Sequence, residues 1–222
     1  MSKDVRICCL SAIVTVLLVH IGNCSAVDFS VAGFNGQDYA CYITREGAGS
    51  KDGTSLSNAF AWENGDGLRS CLATAIPGDA IFLAAPDEGH YELTETIVWD
   101  KSGLPNQPIT LVGEGRAGAG LDFGRSVLDA HQFWPTIQGT RKKTDDGKGG
   151  NSFLKFAQGV EHISIQNLNL HQFSHVITAG NREEAFAIRH ISLSDIYVEH
   201  AREVVSIFGP DGNSGASSWD IK

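Results

Sequence analysis

His171 and His175 stand four positions apart, a spacing that on a helix sets both imidazoles on one face and within reach of one zinc ion. The glutamate that would follow the first histidine in a zinc-protease helix is missing, because Gln172 holds that position. On a β corner the spacing has no metal-binding meaning, so no metal site is predicted. A second relation is more informative. Glu199 follows His171, and Glu203 follows His175, at the same offset of 28. A chain that folds back on itself with that period brings His171 beside Glu199 and His175 beside Glu203, within roughly 5 Å. Such pairs form either a surface ladder of complementary charges, contributing less than about 1 kcal/mol each, or a polar groove with Arg202 or Arg182 nearby. His171, His175, Arg182, Glu199 and Arg202 are therefore the candidate catalytic residues. Asp145-Asp146 and Asp211-Gly212-Asn213 offer oxygen ligands of the kind calcium takes, but in Gly-rich loops without EF-hand spacing. Calcium is the one cofactor left open. Trp62 and Trp134 are candidate substrate-stacking rings, whereas Trp99 lies in an apolar run and reads as core. Arg141-Lys142-Lys143 is a short basic run in a polar loop and reads as solvated.

These residues need a fold whose structural period equals that offset. Residues 162–177 read HISIQNLNLHQFSHVI and residues 190–205 read HISLSDIYVEHAREVV. Ile163, Ile165, Leu168 and Leu170 match Ile191, Leu193, Ile196 and Val198, with the same apolar spacing of 2, 3, 2. Two short strands of period two with one extra residue between them produce that spacing, and the extra residue makes a corner. Asn167 and Asp195 occupy the corners, where a short polar side chain can bond the turning backbone. A third copy is expected to begin near Trp219-Asp220-Ile221. Upstream, residues 66–75 read as an amphipathic helix with Asp66 as N-cap and Leu68, Cys71, Leu72 and Ala75 on one face. Pro77-Gly78-Asp79 stops it. Short β runs follow at 80–83, 96–99, 109–112, 126–128 and 153–156. Gly113 to Gly118 match G-x-G-x-x-G, but the residues after them are not helical, so a loop is predicted and not a dinucleotide site.

Composition sets the class. The chain has 222 residues, 42% hydrophobic and 19% charged, enough for one sizeable core and too apolar for a disordered polymer. Its formal charge of −9 argues against a nucleic-acid partner. Lys3 and Arg6 precede an apolar run over 7–21 and the small residues Ser25 and Ala26, the order of a secretory signal peptide. The run is shorter than the ~20 residues that span a bilayer; an uncleaved anchor and a lipidated Cys24 are the lesser alternatives. Cleavage near Ala26 predicts a secreted or periplasmic protein with no membrane partner; a monomer is expected separately, on no specific sequence signal. It leaves Cys41 and Cys71, which form one disulfide or remain as two buried thiols.

Strands this short and this regular can wind as a parallel β-helix, each turn pairing with the next, with the helix at 66–75 covering the first edge. Pro77-Gly78-Asp79-Ala80-Ile81-Phe82-Leu83, followed by Lys101-Ser102-Gly103-Leu104-Pro105-Asn106-Gln107-Pro108-Ile109-Thr110-Leu111-Val112-Gly113, resembles the opening of right-handed parallel β-helix proteins of the pectin-lyase-like superfamily. Leu104 replaces the small residue usual there. The resemblance runs from about Tyr39 to the C-terminus and implies an all-β right-handed solenoid over 27–222 with a short capping helix. The chain ends inside what reads as a new coil, so a fragment with later coils missing is expected. The resemblance further implies a polysaccharide partner and a lyase acting on a uronate-containing glycan by β-elimination. That reaction needs a base such as Lys, Arg or His and a cation for the substrate carboxylate. A glycoside hydrolase would need two carboxylates instead. A non-catalytic glycan-binding or surface-attachment module, or an inactive fragment, is the alternative, because the same opening serves all of these.

Overall fold

The computed structural model describes residues 39–86, 88–114, 134–142, 149–180, 188–208 and 219–221. Within them short strands dominate, all pairing in parallel, with one α-helix of nine residues. Strands β1 (Cys41–Thr44) and β2 (Phe60–Ala61) precede helix α1 (Asp66–Thr74). Then come β3 (Ala80–Ala84), β4 (Tyr91–Glu92), β5 (Ile97–Trp99), β6 (Ile109–Glu114), β7 (Thr136–Gln138) and β8 (Ser152–Phe156). Strands β9 (Glu161–His171), β10 (His175–Gly180), β11 (Arg189–Glu199), β12 (Glu203–Phe208) and β13 (Trp219–Ile221) complete the order. The predicted strands at 80–83, 96–99, 109–112 and 153–156 appear as β3, β5, β6 and β8, with ends moved by one or two positions. The signal segment, the predicted strand at 126–128, residues 115–118 of the glycine motif, Lys143, Asp145, Asp146, Arg182, Asp211, Gly212 and Asn213 lie outside the described residues.

The strands form three ladders. The first runs β2, β1, β3, β6, the first half of β9, the first half of β11 and β13. The second joins β4, β7 and the second halves of β9 and β11. The third joins β5, β8, β10 and β12. From β3 onward the chain visits first, second and third ladder in that order, four times over. Between the last two of these layers the offset is 28 in every ladder: Ile163 opposes Ile191, Leu170 opposes Val198, and His175 opposes Glu203. Ile191 in turn opposes Trp219, so the third copy keeps the same offset.

The core consists of side chains stacked layer on layer. Cys41, Ile81, Leu111, Ile165 and Leu193 form one column in the first ladder. Tyr91, Ile137, Leu170 and Val198 form a column in the second, and Trp99, Phe156, Ala179 and Ile207 one in the third. Trp99, Ile137, Phe156 and Ala179 are fully buried. Parallel strands covered on one face only still need an apolar residue at every second position, and these columns supply it.

The corners have a conformational cause. His162, Asn167 and Gln172 have φ of 57°, 57° and 59°, and their equivalents one period later, His190, Asp195 and His200, have 55°, 54° and 56°. One left-handed residue between extended neighbours redirects the strand. Asn, Asp and His tolerate that region better than most L residues. The corners at Asn167 and Asp195 therefore use backbone tolerance, where the sequence predicted side-chain bonding. Gly113 packs against the first of them: a Cβ there would lie 2.1 Å from the Asn167 carbonyl oxygen and 2.6 Å from Pro135 Cγ. That close approach accounts for the first glycine of the G-x-G-x-x-G match.

At the starting edge, α1 packs on β1 and β2, so closely that a Cβ on Gly67 would meet the Ala61 carbonyl at 2.4 Å. Leu68, Cys71 and Leu72 face inward, and a disulfide joins Cys71 to Cys41 of β1. The N-cap is Gly65, with φ 92°, and not Asp66. A tight turn over Glu63–Gly65 delivers the chain into the helix one residue earlier, and the Asp66 carboxylate pairs with Arg69 at 2.8 Å. The helix ends at Thr74, because Pro77 restricts Ile76; the Asp79 carboxylate then accepts the Ile76 N–H at 2.9 Å.

Candidate functional site

Outward residues of the second ladder form a polar column. Glu92 of β4, Gln138 of β7, His171 of β9 and Glu199 of β11 oppose one another in four successive layers. Three strand spacings make the column about 14 Å long. Around the following corner, Ser152, His175 and Glu203 begin β8, β10 and β12 in the same register. Both predicted His–Glu neighbours are thus brought together. The contact is looser than a hydrogen bond: His171 Nε2 lies 3.8 Å from Glu199 Oε2, and His175 Nε2 lies 3.7 Å from Glu203 Oε2.

The two pairs differ in their surroundings. His171 packs edge-on to the Tyr197 ring at 6.1 Å, and its Nε2 is buried without a hydrogen-bond partner among the described residues. Burial pushes its pKa below the ordinary value; Glu199 opposes this, while His200 and His90 push the same way. The imidazole is therefore neutral at pH 7 and can accept a proton. Glu199 is shared, because His200 Nδ1 stands 3.4 Å from its other oxygen. Glu203 accepts a hydrogen bond from the Ser206 hydroxyl, which holds its carboxyl below the ordinary range, with His175 and Arg202 acting in the same direction. Arg202 Nε sits 3.5 Å from Glu203 Oε1.

At the other end of the column His90 Nε2 lies 2.5 Å from Glu92 Oε1. The loop that leaves β7 is clasped at its base: the Thr140 N–H donates to Asn151 Oδ1 at 2.9 Å, and Asn151 Nδ2 donates to the Leu93 carbonyl at 3.0 Å. Arg141, at the start of that loop, is not a solvated member of a basic run. Its backbone N–H donates to the Gln172 carbonyl at 2.7 Å and its Nη1 to the His200 carbonyl at 3.0 Å.

The tryptophans divide. Trp62 is only 3% exposed; its Nε1 donates to the Glu92 carbonyl at 2.6 Å, and its ring packs on Tyr91. It is a core residue and cannot stack on a substrate. Trp134 is partly exposed, and its carbonyl accepts Asn169 Nδ2 at 3.2 Å. Trp99 is buried, as expected of a strand residue. Sequence reasoning missed Glu92, Gln138, His90 and His200. The first two are separated from His171 by irregular offsets that no repeat signal captures. His200 was accessible, as the corner residue one period after Gln172.

Among the described residues no group of three or more His, Cys, Asp or Glu is placed to hold a metal ion, and no helix is long and apolar enough to cross a membrane. A search of family models, curated proteins and solved structures finds no match to this chain.

Proposed function

We propose that this chain is an exported carbohydrate-active protein of the pectin-lyase-like kind. In this reading the three ladders are the faces of a right-handed parallel β-helix. The repeated first-second-third order of parallel strands supports the winding, and the strong bias of parallel crossovers supports the hand. The Pro77-Gly78-Asp79 turn into β3 and the Gly103 segment leading into β6 support the resemblance. The substrate is an acidic, uronate-containing glycan lying along the column from Glu92 to Glu199. The reaction is β-elimination. His171 Nε2 takes the proton beside the uronate carboxylate, the freed electron pair forms the ring double bond, and the bond to the glycosidic oxygen breaks. That oxygen leaves as a hydroxyl with a proton from water. The observation that carries this is His171 itself: its pKa is pushed down by burial, and its buried Nε2 has no hydrogen-bond partner among the described residues, in a polar column about 14 Å long.

A non-catalytic glycan-binding module is the second reading. Its support is the charge at the site, since Glu92, Glu199 and Glu203 flank the histidines and Arg202 is turned to Glu203. An absorbance scan near 235 nm with a panel of acidic polysaccharides separates the two. Rising absorbance that disappears in His171→Gln is the expected result. Binding without any rise selects the module, and neither binding nor a rise removes the glycan reading.

A further inference from the structure

Asn64-Gly65 lies at the entrance to α1 in a strained turn, where Glu63, Asn64 and Gly65 have successive positive φ of 40°, 59° and 92°. An asparagine followed by glycine carries a latent reaction. The Gly65 nitrogen, unhindered by any Cβ on its own residue, can attack the Asn64 side-chain amide carbon. A new N–C bond closes a five-membered imide, the amide nitrogen leaves as ammonia, and water then opens the ring to an aspartyl or an isoaspartyl residue. Ring closure needs the attacking nitrogen on the same side of the Asn64 Cα–C bond as Cβ. Tetrahedral geometry at Cα puts that at ψ of about −120°, whereas ψ is 30° in the fold, roughly 150° away. Four contacts hold it there. The Gly65 N–H donates to the Trp62 carbonyl at 2.8 Å, and the Asn64 carbonyl accepts Arg69 Nη1 at 3.0 Å. The Asn64 side-chain oxygen accepts the Thr94 N–H at 2.6 Å. Gly65 is buried so closely that a Cβ would stand 2.9 Å from Leu93 and from Ile97. Backbone strain persists only where the surroundings over-determine it, and these partners come from α1, from the chain before the turn and from the β4–β5 segment.

We propose that Asn64 is a modification site: the Asn64–Gly65 linkage is protected while α1 is seated on the first strands and deamidates when this cap opens. The reaction needs only water, and it runs one way. An isoaspartyl residue adds a methylene to the main chain, so the turn can no longer deliver Gly65 to its place against Leu93 and Ile97. A cap that has reacted in this way fails to re-form. The disulfide between Cys41 and Cys71 ties α1 to β1 and governs how often the linkage is exposed. The inference is independent of the glycan reading, since it uses no side chain of the polar column.

The test follows Asn64 by mapping the tryptic fragment of residues 52–69 after incubation at mildly alkaline pH. Mass reports the change of amide to acid, and chromatography separates the aspartyl from the isoaspartyl form. The full chain, native and in urea, is compared with a blocked peptide of residues 60–69. The expected result is a rate about tenfold or more lower in the native chain than in the peptide, and a rate close to the peptide's in urea. Cys41→Ser should move the native rate toward the peptide's. Chain that has reacted in urea should melt lower after refolding than its untreated form, and Asn64→Gln handled in the same way should not. A native chain that reacts as fast as the peptide overturns the protection, and a peptide that does not react overturns the lability. Cys41→Ser at the wild-type rate removes the disulfide's role alone. An equal drop in melting for Asn64→Gln, or none for either chain, removes the failure of the cap to re-form.

Discussion

Replacing Gly113 with alanine probes the corner that carries the candidate site. The added Cβ would sit 2.1 Å from the Asn167 carbonyl oxygen and 2.6 Å from Pro135 Cγ. Asn167 is a corner residue with φ 57°, and the strand beyond it bears Asn169 and His171. Relief requires a backbone shift of about 1 Å, because the contact cannot be eased by rotating a side chain. Overpacking of this kind costs about 1–3 kcal/mol, and one or two strained ladder hydrogen bonds add about 1 kcal/mol each. The expected loss is therefore about 2–5 kcal/mol, a large share of a typical domain's stability. Gly159 is the internal comparison: its φ is 78°, but nothing lies within 4 Å of a Cβ there. Gly159→Ala should lose only about 1–2 kcal/mol, through the left-handed backbone alone. Urea titration of both variants, read by linear extrapolation, gives the ranking. If Gly113→Ala unfolds at the wild-type midpoint, or loses less than Gly159→Ala, then the packing of β6 against the Asn167 corner is wrong, and the polar column loses its register with it.

Leu168 is fully buried, so Leu168→Asp should cost several kcal/mol; a variant that melts like the wild type would disprove the inward column. Cys41→Ser should lower stability by about 3–4 kcal/mol under oxidising conditions, from a bridge with a sequence separation of 30, and by much less in reductant; equal loss in both would mean the bridge contributes nothing. Elimination should hold through neutral pH and fall only below the ordinary imidazole value of about 6.5, because the His171 pKa is lowered and the base form persists further into acid. The same shift makes the unfolded chain bind more protons than the folded one in that window, so stability should also decline as pH falls below about 6.5. A rate limb centred above that value would exclude His171 as the base.

Sequence made the last two layers legible because a single offset relates them. From Glu161 of β9 to Glu203 of β12 the offset is a constant 28, so the apolar matches and both His–Glu neighbours could be paired by counting. Earlier layers hide the period. The offset is 30 from Ile81 to Leu111, 54 from Leu111 to Ile165 and 23 from Leu154 to Ile177, because loops of different length leave the corners. Glu92 and Gln138 therefore escaped notice although they stand in the same column as His171. Trp62 was misread because its burial depends on Tyr91 and the Glu92 carbonyl, far along the chain, and no local pattern records that. The helix over 66–75 was readable from its apolar face, but its first turn was not, since the chain enters through three successive residues of positive φ, Glu63, Asn64 and Gly65.

The corner residues at 162, 167 and 172 recur at 190, 195 and 200, which gives these two successive layers the same corner geometry. Excising or duplicating the stretch between equivalent corners would join like geometry to like geometry. Such an event would lengthen or shorten the outer polar face by one strand spacing, about 4.8 Å, without recutting the apolar columns beneath it. The reach of the surface is thus an integer quantity that gene rearrangement can change a step at a time, while the loops that leave the corners remain free to vary in content. Two properties that are coupled in most folds, how long a ligand is and which ligand it is, can here be altered by separate mutations.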